Sequence, residues 1–342
     1  MIESRHIIFD EQINDRFPGF SNNVSFCDLP MWGNFTIKDV LSLSLTGEVR
    51  HSIFRISEVS DFTSVLNFLK KIPSGSPVVL GRTGNITILD WKSISGDVLH
   101  HACIVKVQVG KMLSDLYIIR VKEVLRAFNY IEPKLGGDYR RFVEFLFDDY
   151  LFHNFESVVR VAGFSYLLRN SMEYFYENLN FAGHFNDETF WSVFRCLKTD
   201  HVSRTTVAEH GFVRNSFIGA GARIEGVVQN STIFHDVVVG RGAIVRNSVI
   251  LPSNIIEERV TISNALILGE VSRTIGRNSV VGGDSNVKNA RFSSVLKKGL
   301  TVVGENVNVP PESRIGTGCL ITGEGRGRSD PILLRDGETC IL

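Results

Sequence analysis

Residues 208–254 read AEHGFVRNSFIGAGARIEGVVQNSTIFHDVVVGRGAIVRNSVILPSN. Aliphatic side chains recur here every six residues, as Ile218/Ile224, Ile233/Val239 and Ile244/Ile250, and the last pair runs on through Ile256, Ile262 and Leu268. Ile275/Val281 and the set Val303, Val309, Ile315, Ile321 keep the same interval. A coarser repeat lies on top: RNSFI, QNSTI, RNSVI and SNALI place Asn215, Asn230, Asn247 and Asn264 at spacings of 15, 17 and 17. An amphipathic helix repeats near 3.6 and a half-buried strand at two. A period of six grouped in threes predicts a left-handed parallel β-helix, each coil built of three short strands with one inward aliphatic apiece. Small residues follow the inward aliphatic in Ile218-Gly219, Val239-Gly240 and Ile275-Gly276, where the chain turns and a positive φ is useful. The interval fails between Val281 and Val303, so GGDSNVKNARFSSVLKKGLT (282–301) reads as an excursion. GEGRGRSDP (323–331) reads as a loop and ILLRDGETCIL (332–342) as a short end segment.

Upstream of about residue 200 the pattern changes to alternating strands and helices. HIIF (6–9), HSIFRI (51–56), PVVLG (77–81), NITILD (85–90), HACIVKVQV (101–109), DLYIIR (115–120) and ESVVRVAG (156–163) read as extended. FTIKDVLSLSL (35–45), DFTSVLNFLKKI (61–72, with Asp61 as N-cap), VKEVLRAFNYI (121–131), DYRRFVEFLFDDYLF (138–152, with Asp138 as N-cap), NSMEYFYENL (170–179) and ETFWSVFRCL (188–197) read as helices. Such alternation predicts an α/β sheet domain over residues 1–200, followed by the β-helix domain over 201–342.

Composition bounds the function. The 342 residues carry 37 Lys+Arg against 37 Asp+Glu, a zero balance unlike the basic surplus of a nucleic-acid binder. Cys27, Cys103, Cys196, Cys319 and Cys340 are odd in number and form no CxxC pair, which fits free thiols in a reducing compartment. The N-terminus, MIESRHIIFDEQ, lacks the apolar run of a signal peptide, and no stretch of about 18 apolar residues would span a membrane. A cytoplasmic protein without nucleic-acid or membrane partners is expected.

Several segments resemble the sugar-1-phosphate nucleotidyltransferases, and among them ADP-glucose pyrophosphorylase (glucose-1-phosphate adenylyltransferase). The stretch 208–254 is similar to that family's entry into its β-helix, and GLTVVGENVNVPPESRIGTGCLI (299–321) to its last coils. LPMWGNFTIKDVLSLSL (29–45) is similar to "PFGGKYRLIDFxLSN", through Pro30, Gly33, Phe35 and Asp39. VVLGRTGNITILDWKSI (78–94) resembles the strand carrying "LSGDHIYxMDY", DLYIIRVKEVL (115–125) resembles "MGIYVFxxxVL", and GFSYLLRNSMEYFYENL (163–179) lies on "GYWRDVGTxESYYEANL". The resemblance implies a nucleotidyltransferase-like (Rossmann-like) sheet domain and a family reaction in which a sugar phosphate attacks the α-phosphate of a nucleoside triphosphate. Such a reaction depends on positioning and on neutralising charge with Mg²⁺ and Lys/Arg.

The residues that would do this are missing. Residues 1–32 hold one glycine, Gly19, no lysine, and only Arg5 and Arg16 as strong cations, so the Gly-rich phosphate loop is absent. The first metal-site Asp of the family falls on Gly84 and the second on Leu167, neither of which offers a side-chain oxygen. Between Ile94 and Ser114 there is no Glu-Lys-Pro to supply the sugar-phosphate lysine. Loss of one transition-state stabiliser typically costs ~10²–10³ in rate. The expectation is therefore a non-catalytic regulatory or scaffolding subunit with no cofactor of its own. It would work in glycogen or α-glucan synthesis, partnered through its β-helix by a catalytic nucleotidyltransferase or by itself. A divergent active glucose-1-phosphate adenylyltransferase is the alternative, and Mg²⁺ enters only there.

Candidates for a small anionic effector are Arg140, Arg141, Lys297 and Lys298, with Arg326 and Arg328 as a further basic spot, each set against a plain solvated surface. His235 beside Asp236 would be the general base of a β-helix acyltransferase, or simply a turn histidine. His100 and His101 lack partners at metal-ligand spacing, and GRTG (81–84) is no P-loop because no Gly-Lys-Ser/Thr follows. A structural binding module, of the kind found in translation-factor exchange complexes, shares the two-part layout.

Overall fold

A computed structural model describes residues 5–11, 13, 16–21, 24–44, 47–48, 51–89, 102–194, 203–269, 273–323 and 329–342. Cys196, His100, His101, Arg326, Arg328 and the junction near residue 200 lie outside these.

The N-terminal half is built on a six-stranded mixed sheet. Its order is Ser157–Val161, Ile104–Val109, Met112–Arg120, Pro77–Arg82, Arg5–Asp10, His51–Arg55. Arg5–Asp10 runs parallel to both of its neighbours, and Met112–Arg120 runs antiparallel to both of its own. One face is covered by Val59–Lys70, Val121–Ile131 and a helical run from Tyr139 to Asn154. Val121, Val124, Phe128 and Ile131 fall on one stripe of their helix and are fully buried, which is why that helix docks.

Local differences from the sequence reading have local causes. Among the described residues of 35–45 only Ile37–Leu41 is α-helical. Thr36 and Asp39 cap it reciprocally, and the period-two run Leu43–Ser44 turns back to pair with Gly47–Glu48. Asp61 is not an N-cap; the helix starts two residues earlier with Glu58 as cap, and Asp61 accepts from the Ser57 N–H (3.0 Å) and hydroxyl (2.7 Å). Asp138 makes no side-chain cap bond, because its carboxylate accepts from Arg140 Nε at 2.8 Å instead. The helix after it widens to π geometry over Phe145–Leu151. Gly163–Leu167, not read as a separate strand, pairs antiparallel with Asn85–Leu89.

From Thr206 onward the chain forms a parallel β-helix. Of its three sheets the first, which begins with Thr206–Val207, has five strands and is extended by a bridge from Ile275 to Val309; the second, which begins with Phe212–Arg214, and the third, which begins with Phe217–Ile218, have seven each. Its interior is a column of Val228, Ile233, Val239, Val245, Ile250, Ile256, Ile262, Ile267, Ile275 and their successors, all buried. The true interval is therefore six, six and five. Ile244 is only half-buried, with Val245 pointing inward in its place, and Leu268 packs outside the coil while Ile267 fills it. The short side is the one that ends in asparagine. Asn215, Asn230, Asn247 and Asn264 sit at φ 46–50°, left-handed conformations that asparagine tolerates, and the six-residue sides likewise turn through positive-φ residues, Asp236, Gly242, Ser253 and Arg259. Positive φ is not what Gly219, Gly240 and Gly276 supply. A Cβ there would lie 2.5 Å from His235 N, 2.9 Å from Glu257 C and 2.4 Å from Pro311 N, so their role is close approach to the next coil. The excursion is real: after Val280–Gly282 the third sheet resumes at Thr301–Val303, and the buried Asn289 amide ties the loop to Gly318 O and Glu338 O. Residues Leu333–Leu334 and Thr339–Ile341 of the end segment complete a last coil.

The halves share one core. On the third sheet Val249, Leu266, Val302 and Leu320 face outward, alternating with the inward Ile250, Ile267, Val303 and Ile321. They pack against Trp32, Phe175 and Phe181 of the N-terminal half.

Candidate functional site

In open α/β sheets ligands bind beyond the carboxyl ends of parallel strands. Here that edge holds Asp10 and Glu11 after one strand and Arg82, Thr83 and Gly84 after its neighbour. The structure does bring Gly84 and Leu167 together: Leu167 lies opposite Asn85, and Leu168 N donates to Gly84 O at 2.8 Å. Gly84 N donates to Glu11 Oε2 (2.9 Å), and a Cβ at Gly84 would meet that same oxygen at 2.6 Å.

The chain's own groups neutralise one another at this edge. The Arg82 guanidinium is buried and bonds Asp115 Oδ2 at 2.7 and 3.0 Å and Asp148 at 2.9 and 3.1 Å, with Glu11 Oε1 at 3.6 Å. Lys106 (4.0 Å) and Arg169 (3.7 Å) add to Asp115. Enclosure pushes the Glu11 carboxyl up, opposed by Arg82, and pushes the Lys106 ammonium down, opposed by Asp115. Asp10 is spent likewise, on Ser25 Oγ (2.6 Å), Cys27 N (3.2 Å) and Arg55 (2.8 Å). A two-carboxylate Mg²⁺ site does not fit these residues. Gly84 and Leu167 carry no side-chain oxygen, the Gly84 carbonyl is taken, and the nearby carboxylates are held by Arg82. Among the described residues no group of three His, Cys, Asp or Glu is placed to hold a metal ion.

The segments that would cradle phosphate are turned to packing. Gly19, at φ 97°, sits against the β-helix, where a Cβ would lie 2.9 Å from Val302 and where its carbonyl accepts from Glu305 N at 3.2 Å. Trp32 is fully buried, stacks on Phe181 at 5.3 Å, and donates its backbone N–H to Asn178 Oδ1 at 2.8 Å. Gly33 (φ 81°) leaves room for Phe217.

The basic candidates are not assembled into one site. Arg140 is exposed and paired with Asp138, while Arg141 stacks on Phe145 at 4.7 Å with Glu144 at 3.8 Å. Both flank the helical layer of the N-terminal sheet. Lys297 and Lys298 are exposed on the β-helix excursion, with Lys298 Nζ 5.3 Å from the Tyr176 ring and its carbonyl accepting from Asn264. His235 Nδ1 lies 3.0 Å from Asp236, and the His235 backbone N–H donates to Gly33 O (2.9 Å), so this turn is a seat for the N-terminal half. Sequence reasoning did not find the cavity of about 710 Å³ between Ser171–Asn186 and the asparagine corner of the β-helix, lined by Tyr166, Glu177, Asn180, Asn215, Asn230 and Asn247. Its signal is the repeated Asn-Ser of RNSFI, QNSTI and RNSVI, which as sequence shows only a period.

Comparison with known proteins bears on the same parts. The profile of the GlmU-like, C-terminal hexapeptide family matches residues 200–303. The glucose-1-phosphate adenylyltransferase of Acetivibrio thermocellus is 33% identical over 111 residues, 32% of this chain and 26% of that protein. The enzyme of the same name from Pseudothermotoga lettingae is 34% identical over 151 residues, 41% of this chain and 32% of that one. That of Thermomicrobium roseum is 35% identical over 96 residues, 28% and 22%. In each case the match spans no more than about a third of the relative's length. These likenesses support membership in the ADP-glucose pyrophosphorylase family. No described helix is long and apolar enough to cross a membrane.

Proposed function

We propose that this member of the ADP-glucose pyrophosphorylase family is a non-catalytic subunit, regulatory or scaffolding, of a glucose-1-phosphate adenylyltransferase-type assembly in α-glucan synthesis. The observation that carries it is the edge where Gly84 and Leu167 lie side by side: no carboxylate stands at either position, and Arg82 is neutralised by Glu11, Asp115 and Asp148. Phosphoryl chemistry needs cations free to meet incoming charge. Here the buried guanidinium already has its counter-ions, so an incoming triphosphate would compete with three resident carboxylates. The partner would be a catalytic nucleotidyltransferase chain or a second copy, met through the β-helix, and the effector a small anion.

The test is pyrophosphate release from ATP and glucose 1-phosphate with Mg²⁺, for the purified chain alone and mixed with a catalytic pyrophosphorylase from the same organism. We expect no turnover alone and a changed rate or effector response in the mixture. Turnover by the chain alone would make it a divergent active enzyme. No effect in the mixture, with the two proteins eluting separately, would remove the subunit reading.

A further inference from the structure

The cavity beside the asparagine corner has no part in that argument, and its chemistry is distinct. One wall is the helix Ser171–Leu179 with the turn that follows; the other is a ladder of asparagines, one from each successive coil. Each is held in the left-handed region by the corner it makes, so the side chains project in register at the coil spacing of about 4.8 Å. Asn215 Nδ2 donates to Asn230 Oδ1 at 2.8 Å, which orients the first two amides of the ladder. The walls are clamped: buried Thr232, two residues past Asn230, donates its hydroxyl to Asn178 O at 2.6 Å. The space is therefore largely pre-formed and of ligand size.

Its lining selects a class of ligand. Asn180 and the ladder supply paired amide donors and acceptors, Glu177 supplies a carboxyl, and Leu179 and Ala182 add apolar strips. No lysine or arginine stands among the described lining residues, although Arg214 borders a smaller recess that shares Asn215 and Asn230. A phosphate or nucleotide would meet no cation in the main cavity and would face Glu177. Vicinal hydroxyls, each both donor and acceptor, match planar amides and a carboxyl two bonds at a time, and the C–H faces between them match the apolar strips. Burial, with Glu173 alongside, raises the Glu177 carboxyl to about 7, so near neutrality it serves as donor or acceptor.

We propose that this cavity binds a neutral polyhydroxylated ligand, a sugar or short oligosaccharide. The proposal stands whether or not the chain catalyses anything.

Gly183 gives a clean way to fill the site. A Cβ there meets nothing within 4 Å and its φ is unstrained, so Gly183→Trp should fold normally while occupying the cavity. Isothermal titration of the full chain, without ATP or a partner protein, would use maltotriose, sorbitol and inorganic phosphate as probes. Saturable maltotriose binding is expected, weakened about ten-fold or more by Gly183→Trp at unchanged melting temperature, and several-fold by Asn230→Gly, which keeps the positive φ but loses one amide. Sorbitol binding as tightly as maltotriose would redirect the site to open-chain polyols, overturning the oligosaccharide assignment. No saturable binding of either, binding untouched by Gly183→Trp, or phosphate binding in this cavity would overturn the proposal.

Discussion

Arg82 shows what one buried side chain does when three carboxylates converge on it. Its guanidinium spans Asp115, Asp148 and Glu11, and removing it takes away the cation that all three share. Breaking a buried pair from one side costs about 3–5 kcal/mol. Asp148 is half exposed and Lys106 and Arg169 still face Asp115, so Arg82→Met should cost about 3 kcal/mol in urea unfolding, near the low end of that range. Arg82→Met with Asp115→Asn should recover part of it. A stable Arg82→Met chain would mean the arginine is not a structural counter-ion. Two histidines make a second case. His6 and His51 lie with ring centroids 5.3 Å apart, and burial lowers His6 to about 3 and His51 below its ordinary value, with each other's charge adding to the effect on His6. Folded, both take up a proton less readily than the ordinary imidazole, and both return to about 6.5 once unfolded. The unfolded chain thus binds more protons as pH falls, so the stability they contribute is complete above about 6.5 and drains away from there toward 3. The urea midpoint should fall between pH 7.5 and 5, and less steeply in His51→Gln; an equal slope in that variant would assign the effect elsewhere.

At the scale of the element, the six-residue count located the β-helix but not every inward side chain. The side that turns at asparagine holds five residues instead of six, so a strict hexad drifts by one and selects Ile244 instead of Val245. Ile262→Ala should therefore cost about 2–5 kcal/mol, because it empties the column. Ile244→Ala, the same substitution on the same sheet, should cost about 1 kcal/mol or less, being half-buried. Equal shifts in thermal unfolding would contradict the register. Much of the α/β half was legible from apolar stripes: Val121–Ile131 has the bounds its pattern predicts. Gly163–Leu167 was not legible as a strand, because it pairs only with Asn85–Leu89 and its partly buried residues give little alternation. Gly84 and Leu167 were found through a resemblance, and the structure sets Gly84 in the turn just before Asn85, the residue that Leu167 pairs with. The resident charges around them come from Glu11, Asp115 and Asp148, far apart in sequence, and no local pattern announces that they converge on one arginine.

Across the whole molecule the two halves are bound by a shared core rather than by a hinge. The third β-helix sheet reads as doubled apolar residues, Val249-Ile250, Leu266-Ile267, Val302-Val303 and Leu320-Ile321, because both of its faces are buried. The other two sheets also carry doublets, Val227-Val228, Val238-Val239, Ile244-Val245 and Ile255-Ile256, but there the first member is partly buried or exposed, so burial of both members is what sets the third sheet apart. Phe181 sits where the halves meet, stacked on Trp32 and 4.8 Å from Phe217 of the first coils. Removing a fully buried phenylalanine costs about 3–5 kcal/mol. If the halves were independent, Phe181→Ala would lower only the first of two transitions and leave the β-helix melting as before. Since Phe181 belongs to the cluster that also contains Leu266, Val302 and Leu320, the expectation is one transition, displaced as a whole. The check is urea unfolding followed by two probes, tryptophan fluorescence and far-ultraviolet circular dichroism. Two of the three tryptophans, Trp32 and Trp191, pack on Phe190 and Phe194 and report the junction, and the strand signal reports the coils. Coincident curves that move together in Phe181→Ala are expected. Separated curves, with the strand signal unmoved, would show the β-helix standing alone, and the shared core would then be a contact between two folding units.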